Sequence, residues 1–380
     1  MRELLFVCGA LSVAGWLYLL LLHGRFWQIG PCLSPKRATS GLAAPIAIVI
    51  PARNEAETIG RVIRSLLNQT CANAIYIYLV DDASTDGTAD VARAAAGDHL
   101  SKLTVIAGTP LPPRWTGKLW AVQQGIEAAR ATNPRFLLLT DADVEHASDN
   151  VATLVSIAER EGYDLASFMV KLHCRSIAEK LLIPAFVFFF FMLYPPRWIR
   201  SSKRRAAGAA GGCILIRPES LEKAGGIAAI SSEIIDDCAL ARAVKKSGGR
   251  VWLGMTPDTS SLRTYESFCE IDRMIARTAF NQLHHSTALL GGAMFGMALL
   301  YLVPVALLFT GNVLLAALGL AACAIMTASY RPMVCFYRLG FGWGLTLPFA
   351  AVFYIGATLH SAVNFWAGRG GEWKGRNQDS

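Results

Sequence analysis

The sequence predicts an α/β protein, a mostly parallel sheet domain flanked by transmembrane helices, and three observations carry that expectation. From Pro45 onward, strand-like and helix-like segments alternate regularly, the pattern of parallel strands joined by crossover helices. Long uncharged apolar runs stand near both ends of the chain. Between them, Phe136-Leu-Leu-Leu-Thr-Asp141-Ala-Asp143 drives a fully apolar strand into two carboxylates. A buried strand of this kind ends at the carboxyl edge of its sheet, where open α/β sheets bind ligands.

The elements follow in order. Residues 4–22 form an uncharged run of about 19 residues, long enough to span the roughly 30 Å hydrocarbon core of a bilayer. The run ends at His23-Gly24-Arg25 and not at a small-residue cleavage site. Residues 1–24 are therefore read as a retained anchor and 25–44 as a linker. A strand at 46–50 precedes a helix whose Ile59, Val62, Ile63, Leu66 and Leu67 share one face. Strands at 75–80, 103–106 and 136–140 alternate with helices at 86–92, 118–130 and 151–158, placing a cytosolic domain at 45–286. Within it, 181–194 is apolar but short for a span. A crossing there would also put Asp143 and the later carboxylates on opposite sides of the membrane. Residues 181–205 are read as an interfacial segment ending at Pro195-Pro196, with Arg197 to Arg205 meeting headgroups; a buried core helix is the alternative. Three C-terminal spans occupy 287–366, the first two joined by a tight turn at Thr310-Gly311-Asn312, and 367–380 is a polar tail.

Composition agrees with a membrane protein. Of 380 residues, 53% are hydrophobic and only 17% charged, and the mean hydropathy of +0.38 is too apolar for an ordinary soluble chain. Arg25, Lys36 and Arg37 follow the first span, and Arg331 and Arg338 separate the last two. The positive-inside rule then puts 45–286 in the cytoplasm of a multi-pass protein of a bacterial-type inner membrane. The net charge of +8 sits largely beside apolar spans, so the bilayer explains it and no nucleic acid is expected. Nine cysteines without a Cys-x-x-Cys pair indicate neither a zinc site nor a disulfide framework.

The polar residues at the strand ends suggest nucleotide chemistry. Pro51-Ala-Arg53-Asn54-Glu55 and Asp81-Asp82-Ala-Ser84-Thr-Asp86-Gly87-Thr88 fall at the same sheet edge as Asp141 and Asp143. Asp82 could accept from a base N–H, Glu55 could contact ribose, and Asp141 with Asp143, pointing the same way on an extended segment, could hold Mg²⁺ or Mn²⁺ on a diphosphate. Ser84 and Asp86 suit helix caps equally well. Lys118 follows Gly117 at a helix start, as in phosphate-binding turns, but without Walker spacing; a solvated first-turn lysine is the alternative. His146, His173 and His285 have no partner spacing and are read as structural.

Taken in order with Gly211-Gly212-Cys-Ile-Leu-Ile-Arg217 and Ile235-Asp236-Asp237-Cys-Ala-Leu240, these motifs resemble family 2 glycosyltransferases of the GT-A fold. With its flanking spans and Leu111-Pro-Pro-Arg-Trp115, the whole chain is similar to the hopanoid-biosynthesis-associated membrane glycosyltransferases, relatives of ceramide glucosyltransferase. The resemblance implies inverting transfer of a sugar from a nucleotide-sugar donor to a hydroxyl of a membrane lipid, with a divalent metal. It implies Asp237 as general base, matching the second residue of the family's Glu-Asp pair, and Asp141 and Asp143 as metal ligands. Asp82 or Asp81 would meet the base; Pro51, Arg53, Glu55, Lys118, Asp141 and Arg277 would lie on the donor side, and Gly211, Gly212 and Asp236 on the acceptor side. The family's Gln-x-x-Arg-Trp signature is only partly met, since Met274-Ile-Ala-Arg277-Thr278 keeps the Arg alone. That counts against a processive polysaccharide synthase. On helical spacing, Arg273, Arg277, Asn281 and His284 share one face. A metal-dependent nucleotidyltransferase is the alternative enzyme class.

Overall fold

The computed structural model describes residues 2–28, 44–71, 74–369, 372–373 and 376–377. Most of the expected linker and tail therefore lies outside the described residues. The chain divides into two compact units, one containing 30–172 and 198–263, the other containing 1–29, 173–197 and 264–370. The first is built on a sheet and the second is helical.

The sheet has eight strands: β1 (Ile46–Ala52), β2 (Ile75–Asp81), β3 (Leu103–Ala107), β4 (Phe136–Thr140), β5 (Val144–Glu145), β6 (Leu165–Lys171), β7 (Cys213–Ile216) and β8 (Val251–Ser261). Their order is β3-β2-β1-β4-β7-β6-β8-β5. Four of the seven pairings are parallel; β7 runs against both β4 and β6, and β5 against β8. The expectation of a mostly parallel sheet is thus refined to a mixed α/β fold of GT-A type. β1 and β4 are buried along their whole length, the reason both read as unbroken apolar runs. Ile46, Ile48, Ile50, Phe136 and Leu138 form the core with Ile63 and Leu66 of the helix Ala56–Leu67 and with Val151 and Leu154 of the helix Asn150–Glu161.

Two features open this sheet where a ligand would enter. Because β2 and β3 extend to one side of β1 while β4 lies on the other, the strand order reverses between β1 and β4, the usual crevice of open α/β sheets. Pairing of β1 with β4 stops at Val49 and Leu139, two residues short of Pro51, which has no N–H to give. The antiparallel β7 matters as well. It starts where its neighbours end, so Gly211-Gly212 arrive at the same edge as Asp141.

The helical unit contains Arg2–Leu21, Ile177–Leu193, Thr287–Met297, Val303–Leu307, Val313–Phe336 and Leu347–Trp366. Among the described residues, five segments are long and apolar enough to cross a membrane: Arg2–Leu21, Ile177–Arg200, Thr287–Leu307, Val313–Phe336 and Phe341–Trp366. The second corresponds to the apolar stretch read as 181–194. It is longer than that reading because Ser176 and Glu179 form a capping box that starts the helix at Ile177. Its flanks return to one sheet, since β6 before it pairs with β7 and β8 after it. It is the most buried of the five, 56% against 17–33%. Phe188 packs edge-on to Phe26 and Tyr330, and Phe189 to Tyr301 and Tyr354. The helical unit also takes 264–286, which the sequence reading places with the catalytic domain.

Candidate active site

All strands except β5 and β7 end at one edge, and the loops there are stitched together. Asn54 adopts a left-handed backbone, φ 52°, which asparagine tolerates better than most residues. This turns its side chain toward the loop after β2: its Oδ1 accepts from Thr85 N–H (2.9 Å), and its own N–H donates to Ser84 Oγ (3.0 Å). Asp86 accepts Ala56 N–H (2.9 Å) with one oxygen and Thr88 N–H (3.0 Å) with the other. It thereby ties down the starts of both the helix Thr88–Ala96 and the helix Ala56–Leu67 from a position just before the first. Ser84 therefore ties two loops together and caps no helix, while Asp86 holds the first N–H of each of two helices.

Asp81 and Asp82 separate cleanly. Asp81 is consumed locally, its Oδ1 accepting Ser84 N–H at 2.9 Å. Asp82 is 3% exposed, with Arg53 donating to its carbonyl at 2.6 Å and standing 3.7 Å from its carboxylate.

Beyond β4 the chain does not stay extended. Asp141-Ala-Asp143 turns at once, held by Thr58 Oγ donating to Ala142 O (3.0 Å) and Leu262 N–H donating to Asp143 O (2.7 Å). The two carboxylates thus stand on a turn and not on an extended segment, close enough for the charge of Asp141 to bear on Asp143. Asp141 pairs with Lys118 at 2.9 Å. Asp143 is pushed up to about 6 by burial and by Asp141 and Glu55, against the opposing charges of Arg263 and Lys118.

Lys118 is the hub of the site. The helix Gly117–Ala129 packs closely on the sheet because Gly125 has no Cβ to collide with Val49, and Thr116 Oγ caps its start by accepting Leu119 N–H. This delivers the ammonium between Asp141 and Asp236, at 2.9 and 3.1 Å. Burial works against its charge, but the two carboxylates outweigh burial and raise its pKa above the ordinary lysine value. Asp236 and Asp237 open the helix Asp236–Lys246. Asp237 accepts Gly211 N–H (2.8 Å) and Cys238 N–H (2.7 Å); burial first, and Asp236 second, push it up to about 6. Pro51, Lys118, Asp141, Gly211, Asp236 and Asp237 line one pocket.

Gly212 is positioned by a chain of groups that the sequence did not reveal. Asn150 Nδ2 lies 2.9 Å from His146 Nδ1, His146 Nε2 lies 2.9 Å from Thr140 Oγ, and Thr140 Oγ donates to Gly212 O at 2.8 Å. Burial holds His146 down to about 3, so the ring is neutral. The order of partners makes Nδ1 the acceptor and Nε2–H the donor. Arg263 was missed because it falls between the motifs around Asp237 and Arg277 and belongs to neither.

Arg277 caps the C-terminal end of the helix Phe268–Ala276 in the helical unit and is exposed. That helix stops before Arg277 and a new one runs from Ala279 to Gln282. The continuous polar face expected for Arg273, Arg277, Asn281 and His284 is therefore interrupted at 277–278. His173 and His285 are structural, the first bonded to Glu179 (2.7 Å) and the second stacked on Phe365 (4.0 Å between ring centroids).

Residues 47–225 match the family model described as glycosyl transferase family 2. Over those residues the chain is similar to family 2 glycosyltransferases. An uncharacterized protein of Methanocaldococcus jannaschii is 32% identical over 121 residues, 32% of this chain and 44% of that protein. The 4,4'-diaponeurosporenoate glycosyltransferase of Staphylococcus aureus is 32% identical over 118 residues, 31% of this chain and 29% of that enzyme. The matches thus span less than half the length of these relatives. Among solved structures, a mannosyltransferase from Pyrobaculum calidifontis in complex with GDP-Man and Mn²⁺ aligns over 96% of this chain and 99% of its own, with a TM-score of 0.58 and 18% identity. That likeness is one of fold. The matched residues include Lys118, Asp141 and Gly211 of the pocket, whereas Asp236 and Asp237 lie beyond them.

Proposed function

We propose that this protein transfers a sugar, with inversion, from a nucleotide-diphosphate sugar to a hydroxyl of a membrane lipid, in hopanoid or related lipid biosynthesis. The observation that carries the reading is Asp237: a buried carboxylate raised to about 6, fixed by two backbone N–H groups beside the Lys118 cluster. A base poised near neutrality is what deprotonation of an attacking hydroxyl requires. The Pyrobaculum mannosyltransferase with GDP-Man and Mn²⁺ supports the donor class. The apolar helices and the Staphylococcus relative named for 4,4'-diaponeurosporenoate support an apolar acceptor. With the sheet unit facing the cytoplasm at the inner leaflet, donor and lipid would meet at one site.

The site's donor chemistry fits Mg²⁺ or Mn²⁺. Asp141, Asp143 and Glu55 offer only hard carboxylate oxygens and crowd one another with negative charge. No group of three or more potential ligand side chains converges among the described residues; these ions need few, because they keep waters and borrow diphosphate oxygens. Asp141 and Asp143 would hold the ion, which when bound offsets charge on the leaving diphosphate. The chain's own residues do the rest. Asp82 and Arg53 face the base side, Lys118 adds positive charge at the diphosphate, and Asp237 takes the acceptor proton while Gly211 N–H keeps its carboxylate aimed. Arg277 remains a donor-side candidate from its motif position.

The deciding experiment incubates the purified membrane protein with nucleotide sugars, Mn²⁺ and a total lipid extract. A glycosylated lipid with release of nucleoside diphosphate is expected. Release of pyrophosphate would instead identify a nucleotidyltransferase.

A further inference from the structure

We infer that Lys118 is an internal counter-ion standing in for the divalent cation, so that metal and nucleoside diphosphate load together and metal alone is held off. The inference rests on the proposed reading of Asp141 and Asp143 as metal ligands.

The argument starts from charge. Asp141 follows β4 and Asp236 opens a helix almost a hundred residues later, yet both reach the same ammonium, at 2.9 and 3.1 Å. Side-chain exposure is only 22% for Lys118, 35% for Asp141 and 23% for Asp236, so water screens these pairs incompletely. Removing a cation from such a place leaves uncompensated charge, which is costly. A divalent ion arriving alone must therefore compete with an ammonium already hydrogen-bonded to its ligand. A diphosphate changes the balance, because it offers Lys118 new oxygens and releases Asp141. Gly211 lies against the same groups: a methyl group there would sit 3.5 Å from Lys118 Nζ and 3.4 Å from Asp237 Oδ2. Lys118 stands between Asp141 and the helix that carries the base, where a partner entering the pocket would compete for it. The same contact would tie donor arrival to the acceptor side, since Asp236 shares the ammonium that Asp141 would give up.

The test measures Mn²⁺ binding by electron paramagnetic resonance on the full chain in nanodiscs, with and without GDP or UDP. For the native protein, Mn²⁺ affinity should rise at least about tenfold on adding the nucleotide that it accepts. Lys118→Met should bind Mn²⁺ alone about tenfold more tightly than the native protein and lose most of the nucleotide enhancement. Asp236→Asn, which keeps the lysine but removes one of its two anchors, should fall between them and covers the case in which Lys118→Met does not fold. Equal Mn²⁺ affinities in the native protein and both variants, with nucleotide binding intact, would overturn the counter-ion inference and leave the transferase reading standing. Absence of Mn²⁺ binding under every condition would overturn both.

Discussion

Two clusters at the same sheet edge use their carboxylates in opposite ways. Between the ends of β1 and β2, Asp81 and Asp86 spend their oxygens on backbone N–H groups of Ser84, Ala56 and Thr88. Between the end of β4 and the helix Asp236–Lys246, four carboxylates crowd around Lys118 and Arg263, and two of them are raised to about 6. The first cluster is electrostatically settled and shapes the edge. The second holds proton affinity and negative charge that a cationic or proton-donating partner would relieve, the signature of a reacting site.

Substitutions can break that contrast, and the largest effect is expected at Asp237. Asp237→Asn should lower sugar transfer by about 10² to 10⁴, the usual value of a general base, while nucleotide binding measured by calorimetry persists; full turnover in this variant would place the base elsewhere. Next comes Asp143→Ala, which should weaken Mn²⁺-dependent nucleotide binding by about tenfold or more and leave metal-free binding unchanged. Chelation of the metal should act in the same direction. The pH profile sharpens the comparison further. Asp237 must be ionised to accept a proton, so kcat/KM should be flat above pH about 6 and fall about tenfold per unit below it; a profile level down to pH 4 would contradict this. The smallest effect belongs to the settled cluster: Asp86→Ala should cost about 1 kcal/mol of stability through the lost hydrogen bonds at the two helix starts, seen as a lower Tm, with turnover at saturating donor unchanged.

The difference between these clusters also marks where the sequence could be read. β4 occupies the predicted residues because a strand buried on both faces has no polar interruptions, and the helix Ala56–Leu67 announced itself by the spacing of Ile59, Val62, Ile63 and Leu66. Asp237 and the Asp141-Ala-Asp143 triplet were legible only as members of an ordered set of motifs. What periodicity could not convey was pairing at a distance. β7 is four residues long, and nothing in Cys-Ile-Leu-Ile says that it runs antiparallel between β4 and β6. Lys118 read equally well as a phosphate ligand or a solvated lysine, because its two partners lie far away in sequence. The turn at Ala142 escaped notice for the same reason: Thr58 and Leu262, which hold it, belong to other elements. In the helical unit, Glu179 and Lys180 shortened the apparent apolar run, although Ser176 and Glu179 spelled out the cap that begins the helix.

The chain from Asn150 through His146 and Thr140 to Gly212 has a practical consequence. Because burial keeps the His146 ring from charging until about pH 3, the imidazole beside the site is a spectator throughout the range in which Asp237 changes state. Histidine is ordinarily the first suspect for any transition near pH 6. Here a ring whose magnetic resonance signals keep one tautomer across that range would serve as an internal reference, against which a carboxylate titration can be followed in the intact protein.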